Sequence, residues 1–294
     1  MPMMNRIVPI ITIIAAIIVV WYASAVFMNT KWATDQAARK GVELTTVELI
    51  KDTWSQDRPR LPAPHQVLFD LWKSTGEMAL KGKAFSKRSL IYHGWITLSS
   101  TLLGFVIGTL AGILLAIGIV YNRVMDMSVM PWAIASQTIP ILAIAPMIIV
   151  VLNSIGIQGL IPKAIISAYL SFFPVVVGMV KGLRSPTLEQ LDLLTTYNAS
   201  RREQLWKLRL PSSIPYLFTA LKIGMAASLV GAIVGELPTG AIQGLGARML
   251  TGSYYGQMIQ MWSALFAAAI LAAVLVGIIS MIQSRVLGRL GMQL

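Results

Sequence analysis

The chain has 294 residues, of which 56% are hydrophobic and only 12% are charged. This composition excludes an ordinary soluble globular protein. The net charge of +12 could indicate binding to nucleic acid. However, the Lys and Arg residues are scattered over loops and the edges of apolar segments, which membrane topology explains better. We therefore predict an all-α, polytopic membrane protein with no nucleic-acid partner.

Motifs for catalysis or cofactor binding are absent from the sequence. It contains neither G-x-x-x-x-G-K-[ST] nor G-x-G-x-x-G, and neither H-E-x-x-H nor G-x-S-x-G. Cysteine is absent, and the two histidines, His65 and His93, form no cluster within a span. We expect no catalytic residue, no cofactor and no metal, and no binding of nucleotide phosphates by either glycine-rich loop.

The first predicted span is Ile7 to Met28, an uncharged run that can cross about 30 Å of hydrocarbon at roughly 1.5 Å per residue. The small residues Ala23-Ser24-Ala25 leave a cleaved signal peptide as the alternative. The polar segment 31–93 follows. Its prolines and the apolar set Val67, Leu68, Leu71 and Trp72 predict amphipathic helices at a membrane interface.

Two further apolar stretches predict spans two to four. Gly94 to Tyr121 is the second span, and its glycines at 104, 108 and 112 allow close approach of another helix. Met127 to Pro162 is uncharged but too long for one helix, and residues 153–159 form the natural break. We therefore expect spans three and four on either side of that break.

Span three carries the polar pair Gln137 and Thr138 beside Pro140, with Pro146 further on. Prolines inside a span free backbone carbonyls, which are tolerated where protein or a water-filled path satisfies them. A kink is the minimal interpretation, and a solute path lined by Gln137 and Thr138 is the functional one. Ile214 to Gly235 and Trp262 to Gln283 predict spans five and six.

A polar, basic insert, Thr187 to Pro215, separates spans four and five. Thr187 with Gln190, and Ser200 with Glu203, have capping-box spacing, so two short helices are predicted. Asn198 falls between them, where its tolerance of a left-handed backbone suits a sharp corner. We expect Pro211 to stop the second helix.

The short loops set the predicted orientation. Basic residues near the ends of the spans fall mainly on one side of a six-span arrangement, namely Arg6, Arg123, Lys181, Arg184, Arg201, Arg202, Lys207, Arg209, Arg285 and Arg289. The positive-inside rule then predicts that both termini and the 187–215 insert are cytoplasmic. The basic 31–93 segment lies outside, and segments longer than about 60 residues are exempt from that rule.

Three separated elements resemble one family. Asp192-Leu193-Leu194, Asn198-Ala199-Ser200-Arg201 and Leu210-Pro211 resemble the cytoplasmic Glu-Ala-Ala loop of ABC importer permeases, although Asp, two Leu and Asn replace the family's Glu, two Ala and Gly. Leu61-Pro62-Ala63-Pro64-His65-Gln66-Val67 resembles the Leu-Pro-x-Pro-x-x-Val element that precedes the transport core in nitrate, sulfonate and taurine type permeases. Glu236-Leu237-Pro238-Thr239-Gly240, with Gly244-Leu245-Gly246, resembles the glutamate and Gly-Leu-Gly turn of the same family.

The resemblance implies a type I ABC importer-like permease fold in a bacterial inner membrane, with residues 1–30 as the first transmembrane helix, 31–93 as an extracytoplasmic loop and 94–294 as the transport core. The coupling loop would cover about 185–213. Implied partners are a cytoplasmic ABC ATPase dimer, a second permease subunit of the same or a related kind, an extracytoplasmic substrate-binding protein and membrane lipid.

The same resemblance implies the site residues. Ala199 to Leu210 would be the coupling helix seated in the ATPase, and the coupling residues would be Asp192, Asn198, Ala199, Ser200, Arg201, Arg202, Glu203, Leu205, Trp206, Leu210 and Pro211. Trp206 and Leu205 would supply the buried contact. Glu236, Gly244 and Gly246 would form an outer gate on the path.

A small polar or anionic solute is the implied cargo, either nitrate-, sulfonate- or taurine-like or pyrimidine- and vitamin-precursor-like. The alternative is an ion-coupled secondary transporter or a channel. An ion-coupled transporter normally needs ionisable residues at mid-membrane, and only Glu236, at the end of span five, is a candidate.

Overall fold

The computed structural model describes residues 4–237 and 243–291. These residues form thirteen α-helices and one π turn, with no strand, which confirms the predicted all-α class. The helices are α1 (Met4–Lys40), α2 (Thr46–Ser55), α3 (Pro64–Ser74), α4 (Gly76–Leu80), α5 (Leu90–Tyr121), α6 (Arg123–Ser136), α7 (Ile141–Ser154), α8 (Leu160–Leu183), α9 (Leu188–Thr196), α10 (Arg201–Gln204), α11 (Leu210–Glu236), α12 (Leu245–Tyr254) and α13 (Met258–Arg289).

Five helical segments of the described chain are long and apolar enough to cross a membrane, and a bent pair makes a sixth if it is counted as one span. The five are α1, α5, α8, α13 and the continuous segment Arg201–Glu236, and the bent pair is α6 with α7. The prediction of a multi-pass, six-span protein is confirmed in this sense. Helices satisfy their own backbone groups, which lipid cannot do.

The third predicted span is wrong as a single helix, because α6 and α7 meet at an angle of 99°. Thr138 and Ile139 lie in the break, and Pro140 precedes the first residue of α7. A residue before proline disfavours the α conformation, and proline itself donates no hydrogen bond, so the helix ends here rather than kinking. The predicted break at 153–159 is confirmed, since α7 ends at Ser154 and α8 begins at Leu160.

The described residues divide into two compact units, one of 4–93 with 247–267 and the other of 94–237, 243–246 and 268–291. In the first unit, α2, α3 and α4 are folded helices, as the pattern of segment 31–93 predicts. Asn29 of α1 has no exposed surface. Its amide donates to the carbonyls of Thr53 and Leu61 at 3.0 and 2.8 Å, and its oxygen accepts from the Arg60 and Leu61 amides at 2.9 and 3.2 Å.

Aromatic side chains contact the Leu61–Pro64 part of segment 31–93. The Trp21 indole donates to the Pro62 carbonyl at 2.9 Å and stacks on Phe266 with ring centroids 5.7 Å apart. Pro64 then begins α3, where its missing N–H costs nothing. The Leu-Pro-x-Pro element is therefore fixed by its backbone carbonyls and by the helix start that Pro64 favours.

In the second unit, α8 packs closely against both α5 and α11 through small residues. A Cβ added at Gly104 of α5 would collide with the Ser167 Cβ, and one added at Gly231 of α11 would lie 2.7 Å from the Ser167 Cα. Ser167 also donates to the Ser228 carbonyl at 2.5 Å. Small residues allow backbones to approach closely, and close approach provides packing energy in lipid. The predicted role of the 104, 108 and 112 stripe in close helix packing is confirmed.

Candidate functional site at the 187–211 loop and the Glu236 cluster

The part of the insert that precedes α11 proper, with α9, α10, the π turn and Pro211, is called the 187–211 loop. Its first helix, α9, begins as predicted. The Thr187 hydroxyl accepts from the Gln190 amide at 3.4 Å, and the Thr187 amide donates to the Gln190 side chain at 3.1 Å. This capping box satisfies backbone donors that the first turn of α9 would otherwise leave unpaired. The predicted cap is confirmed.

The corner and the second cap are also confirmed. Asn198 has φ of 53°, and it is the only non-glycine residue with positive φ in the described chain. The Ser200 amide and hydroxyl each donate to a Glu203 carboxylate oxygen at 2.9 Å, and the Glu203 amide donates back to the Ser200 hydroxyl at 3.3 Å. Glu203 also pairs with Lys207 at 3.1 Å.

The prediction that Pro211 stops the second helix is wrong. After α10 a π turn, Leu205–Arg209, leads directly into α11, so Pro211 lies in the first turn of a helix that runs to Glu236. The Leu210 amide bonds to the Leu205 carbonyl, five residues back. A proline clashes with the carbonyl four residues before it in a regular helix. We infer that the wider π turn relieves that clash and lets the helix continue.

Three contacts attach the base of the loop to the ends of neighbouring helices. The Tyr121 hydroxyl of α5 donates to the Arg201 carbonyl at 3.2 Å. The Arg209 guanidinium donates to the carbonyl of Leu183, the last residue of α8, at 2.7 Å, where a cation also complements the helix dipole. Leu205 and Leu210 pack on a buried core that includes Ile119, Met179 and Leu183.

Other apolar side chains of the loop are left uncovered. Trp206 is 63% exposed and Tyr197 is 78% exposed, and Leu188 and Leu193 are exposed as well. We call these four residues the exposed set. Asp192, Arg201 and Arg202 are exposed beside them, and Ala199 is half-buried. Large apolar side chains on a charged surface indicate an interaction site. The two predicted contact residues thus differ, because Leu205 points to the protein's own core and Trp206 points away from it.

The second cluster surrounds Glu236 at the end of α11, which has no exposed surface. Its carboxylate oxygens accept from the Thr97 hydroxyl at 2.9 and 3.1 Å and from the Gly246 amide at 2.8 Å. The Lys163 ammonium lies 3.9 Å away and donates to the Gln243 carbonyl at 3.3 Å. Thr97 also accepts from the Leu245 amide at 2.9 Å. A buried carboxylate needs such partners, and this one joins α5, α8 and the 243–246 turn.

The turn at 243–246 has no room for side chains at positions 244 and 246, which explains why both are glycine. Gly244 has φ of +121°, and a Cβ there would collide with the Glu236 carboxyl group. A Cβ at Gly246 would lie 2.5 Å from the Ile233 carbonyl oxygen. The structure brings Glu236, Gly244 and Gly246 together. Pro238, Thr239 and Gly240 of the same predicted element lie outside the described residues.

The remaining predicted path residues lie at the break between α6 and α7. Gln137 lines a cavity of about 570 Å³ with α8 and α11 side chains that include Phe173, Lys181 and Tyr216. The Lys181 ammonium lies 5.9 Å from the centre of the Tyr216 ring. Thr138 donates to the Ala135 carbonyl at 2.8 Å and is exposed. Among the described residues, no group of His, Asp and Glu side chains could hold a metal ion.

The sequence analysis named neither Thr97 nor Arg209 as a site residue, although Thr97 bonds to Glu236 and Arg209 bonds to the end of α8. The signal for Thr97 is the run of hydroxyl side chains, Thr97, Ser99, Ser100 and Thr101, inside an otherwise apolar span. No sequence signal distinguishes Arg209 from the other cations of the loop. Helix α12 also had no predicted counterpart.

The Glu236 cluster gives a stability prediction with a matched control in the same helix. Thr97→Val should lower the free energy of unfolding by roughly 1–3 kcal/mol, because the carboxylate and the Leu245 amide lose a partner. Thr109→Val should be neutral or stabilising, because the buried Thr109 hydroxyl has no hydrogen-bond partner in the described structure. Thermal unfolding of the purified chain in detergent measures both, and equal effects would contradict the role of Thr97.

Comparison with known proteins agrees with this architecture. Residues 108–290 match the family described as binding-protein-dependent transport system inner membrane component. The chain is 31% identical over 188 residues to a probable ABC transporter permease of Haemophilus influenzae, covering 64% of this chain and 75% of that one.

Two further relatives are named for the solutes that they transport. A formylaminopyrimidine transport permease of Halalkalibacterium halodurans is 33% identical, over 53% of this chain and 61% of its own length. A riboflavin transport system permease of Chloroflexus aurantiacus is 30% identical over 64% of each chain. The chain therefore matches a little under two thirds of the length of these two relatives. The matched region contains all of α6 to α12, and with it both clusters apart from Thr97. The chain belongs to the binding-protein-dependent transport system inner membrane components, the permeases of ABC importers.

Proposed function

We propose that this permease subunit is driven by a cytoplasmic ABC ATPase dimer that docks on the 187–211 loop. The observation that carries the proposal is the division of the loop into an attached base and an exposed set. Arg209, Tyr121 and Leu205 fix the base, while Trp206 and Tyr197 remain uncovered. A loop attached in this way can transmit force from a partner instead of yielding to it.

In this proposal each predicted coupling residue has a physical role. Trp206, with the rest of the exposed set, supplies the contact buried against the ATPase, and Arg201 and Arg202 orient it by charge. Ser200 and Glu203 hold the start of the coupling helix, and Asn198 makes the corner. Leu205, Leu210 and Pro211 belong to the base, while Asp192 and Ala199 complete the surface around it.

One helical segment connects the loop with the Glu236 cluster at the other end of the span. Arg201–Glu236 is continuous, so a displacement of the loop reaches Glu236 without crossing a flexible joint. We propose that Glu236, Gly244 and Gly246 form a gate, and that a second permease subunit supplies a matching half. A substrate-binding protein would deliver the solute on the opposite side. Two docking states of the loop would then correspond to two states of the gate.

The orientation is part of the proposal. We place both termini and the 187–211 loop in the cytoplasm and residues 31–93 outside, because the basic residues of the short loops fall on the side of the loop. Residues 94–294 then form the transport core, with about 185–213 as the coupling loop, and residues 1–30 supply the first span.

Docking is tested by removing the exposed contact. Trp206→Ala combined with Arg202→Glu should abolish copurification of the ATPase from membranes while the chain still inserts, because the lost contact is made with the partner only. Trp132→Ala, which removes another largely exposed Trp, from α6, should leave copurification unchanged. Solute uptake driven by a proton gradient with no ATPase present would contradict the whole proposal and favour a secondary transporter.

Orientation is tested by labelling, which the absence of cysteine makes simple. In sealed right-side-out vesicles, the Lys83→Cys variant should react with a membrane-impermeant maleimide, whereas the Tyr197→Cys variant should react only after the vesicles are opened. Both positions are exposed, so access to the reagent decides the result. Labelling of the Tyr197→Cys variant in sealed vesicles would invert the proposed topology.

The solute is proposed to be a planar nitrogen heteroaromatic of the pyrimidine or flavin type. The formylaminopyrimidine and riboflavin permeases are 33% and 30% identical, whereas a nitrate permease is 23% and a sulfonate permease 20% identical. The cavity beside Gln137 fits such a solute, because Phe173 and Tyr216 offer aromatic surfaces and Gln137 offers hydrogen bonds.

Uptake into proteoliposomes that contain the complete transporter tests the solute class. We expect uptake of formylaminopyrimidine or riboflavin, and none of nitrate or taurine. Phe173→Ala with Tyr216→Ala should reduce that uptake about tenfold, because stacking on two rings is worth roughly 0.5–1.5 kcal/mol each. Thr219→Ser, a small change in the same cavity, should retain it. Nitrate uptake that the Phe173→Ala, Tyr216→Ala variant retains in full would contradict the proposed solute class.

A further inference from the structure

The first unit contains a charged cavity that the proposed transport function does not use. A cavity of about 540 Å³ is lined by α3, by the segment before α5 and by parts of α12 and α13. Three cations, Lys73, Arg88 and Arg248, line it together with one carboxylate, Asp70. None of the three cations forms an ion pair with a carboxylate of the described residues. The cavity therefore has an excess of positive charge.

The donors in the cavity suit an oxyanion. Arg248 is oriented by a hydrogen bond of 3.2 Å from its guanidinium to the Gln260 side chain, and it is half-buried. Lys73 and Arg88 are exposed and can adjust to a ligand. Arginine presents a planar pair of donors that matches phosphate geometry, and lysine adds a point charge. The mixture of one oriented and two adjustable cations fits a phosphate group.

Helix α3 divides its surface among three environments. Val67 and Pro64 are buried, whereas Asp70, Lys73 and Ser74 line the cavity. The third side carries Leu68, Phe69 and Trp72, which are 63%, 68% and 59% exposed. At 100° per residue, Phe69 lies next to Lys73 around the helix. An uncovered aromatic surface thus borders directly on the cationic cavity.

We propose that this cavity binds the phosphate headgroup of an anionic phospholipid, while Phe69 and Trp72 insert among the acyl chains beside it. The apolar side of α3 and the cationic cavity are complementary to the two ends of such a lipid. A free phosphate shares only the headgroup chemistry. The proposal uses neither the orientation of the chain nor the ATPase, so it stands or fails separately from the proposed function.

The test is lipid binding to the purified full-length chain in detergent, measured by native mass spectrometry with phosphatidylglycerol, phosphatidylcholine and inorganic phosphate as probes. The chain should bind phosphatidylglycerol in preference to the other two. Lys73→Gln with Arg88→Gln should weaken phosphatidylglycerol binding by about tenfold or more, because both cations attract the anionic headgroup. Lys40→Gln with Lys51→Gln removes the same charge from exposed positions outside the cavity and should retain binding.

Two further variants separate the lipid from a free anion and from misfolding. Phe69→Gln with Trp72→Gln should weaken phosphatidylglycerol binding without changing any binding of inorganic phosphate. Arg88→Lys keeps the charge and should retain most of the binding, with unchanged helix content by circular dichroism. Equal losses in the cavity pair and the control pair would overturn the site. Phosphate binding as tight as that of the lipid, unaffected at Phe69 and Trp72, would overturn the lipid assignment.

Discussion

The close approach of α5, α8 and α11 is the constraint on which the second unit depends. Ser167 of α8 lies against Gly104 on one side and Gly231 on the other, and no larger residue fits at either position. In lipid the apolar surfaces of helices gain little by leaving their surroundings, so contact distance and interhelical hydrogen bonds decide stability. The bonds from Ser167 to the Ser228 carbonyl and from Ser228 to the Thr101 carbonyl follow from that proximity.

These three packed helices fix both the 187–211 loop and the Glu236 cluster. At one end, the carbonyl of Leu183 in α8 and the hydroxyl of Tyr121 in α5 hold the base of the 187–211 loop. At the other end, Thr97 of α5 and Lys163 of α8 hold Glu236. The same three helices therefore contact both the loop and the buried carboxylate. Packed rigid helices of this kind can carry coupling between distant sites.

The local features of the fold and the close packing at the 104, 108 and 112 glycine stripe were predictable from sequence, whereas most other tertiary contacts were not. Capping boxes at Thr187 and Ser200 and the corner at Asn198 depend on residues three or four apart, so their spacing suffices. The pattern Gln137-Thr138-Ile139-Pro140 indicated a disturbance, but only the packing around it decides between a kink and a 99° bend. The same holds for Pro211, because nothing in the local sequence predicted the π turn through which the helix continues past it. The four bonds of Asn29 join positions that no periodicity relates.

The size of the loop helices explains why the loop needs so many local bonds. A helix of nine residues, such as α9, is marginal in isolation because nucleation is costly, and α10 is the first turn of the segment Arg201–Glu236, where backbone donors lack partners. The two caps and the Glu203–Lys207 pair reduce that cost within the loop, and Arg209 and Tyr121 tie it to α8 and α5. In the proposed docking, a loop ordered in advance would lose little further entropy when the ATPase covers Trp206. The binding energy of the exposed set would then remain available for moving the attached helix.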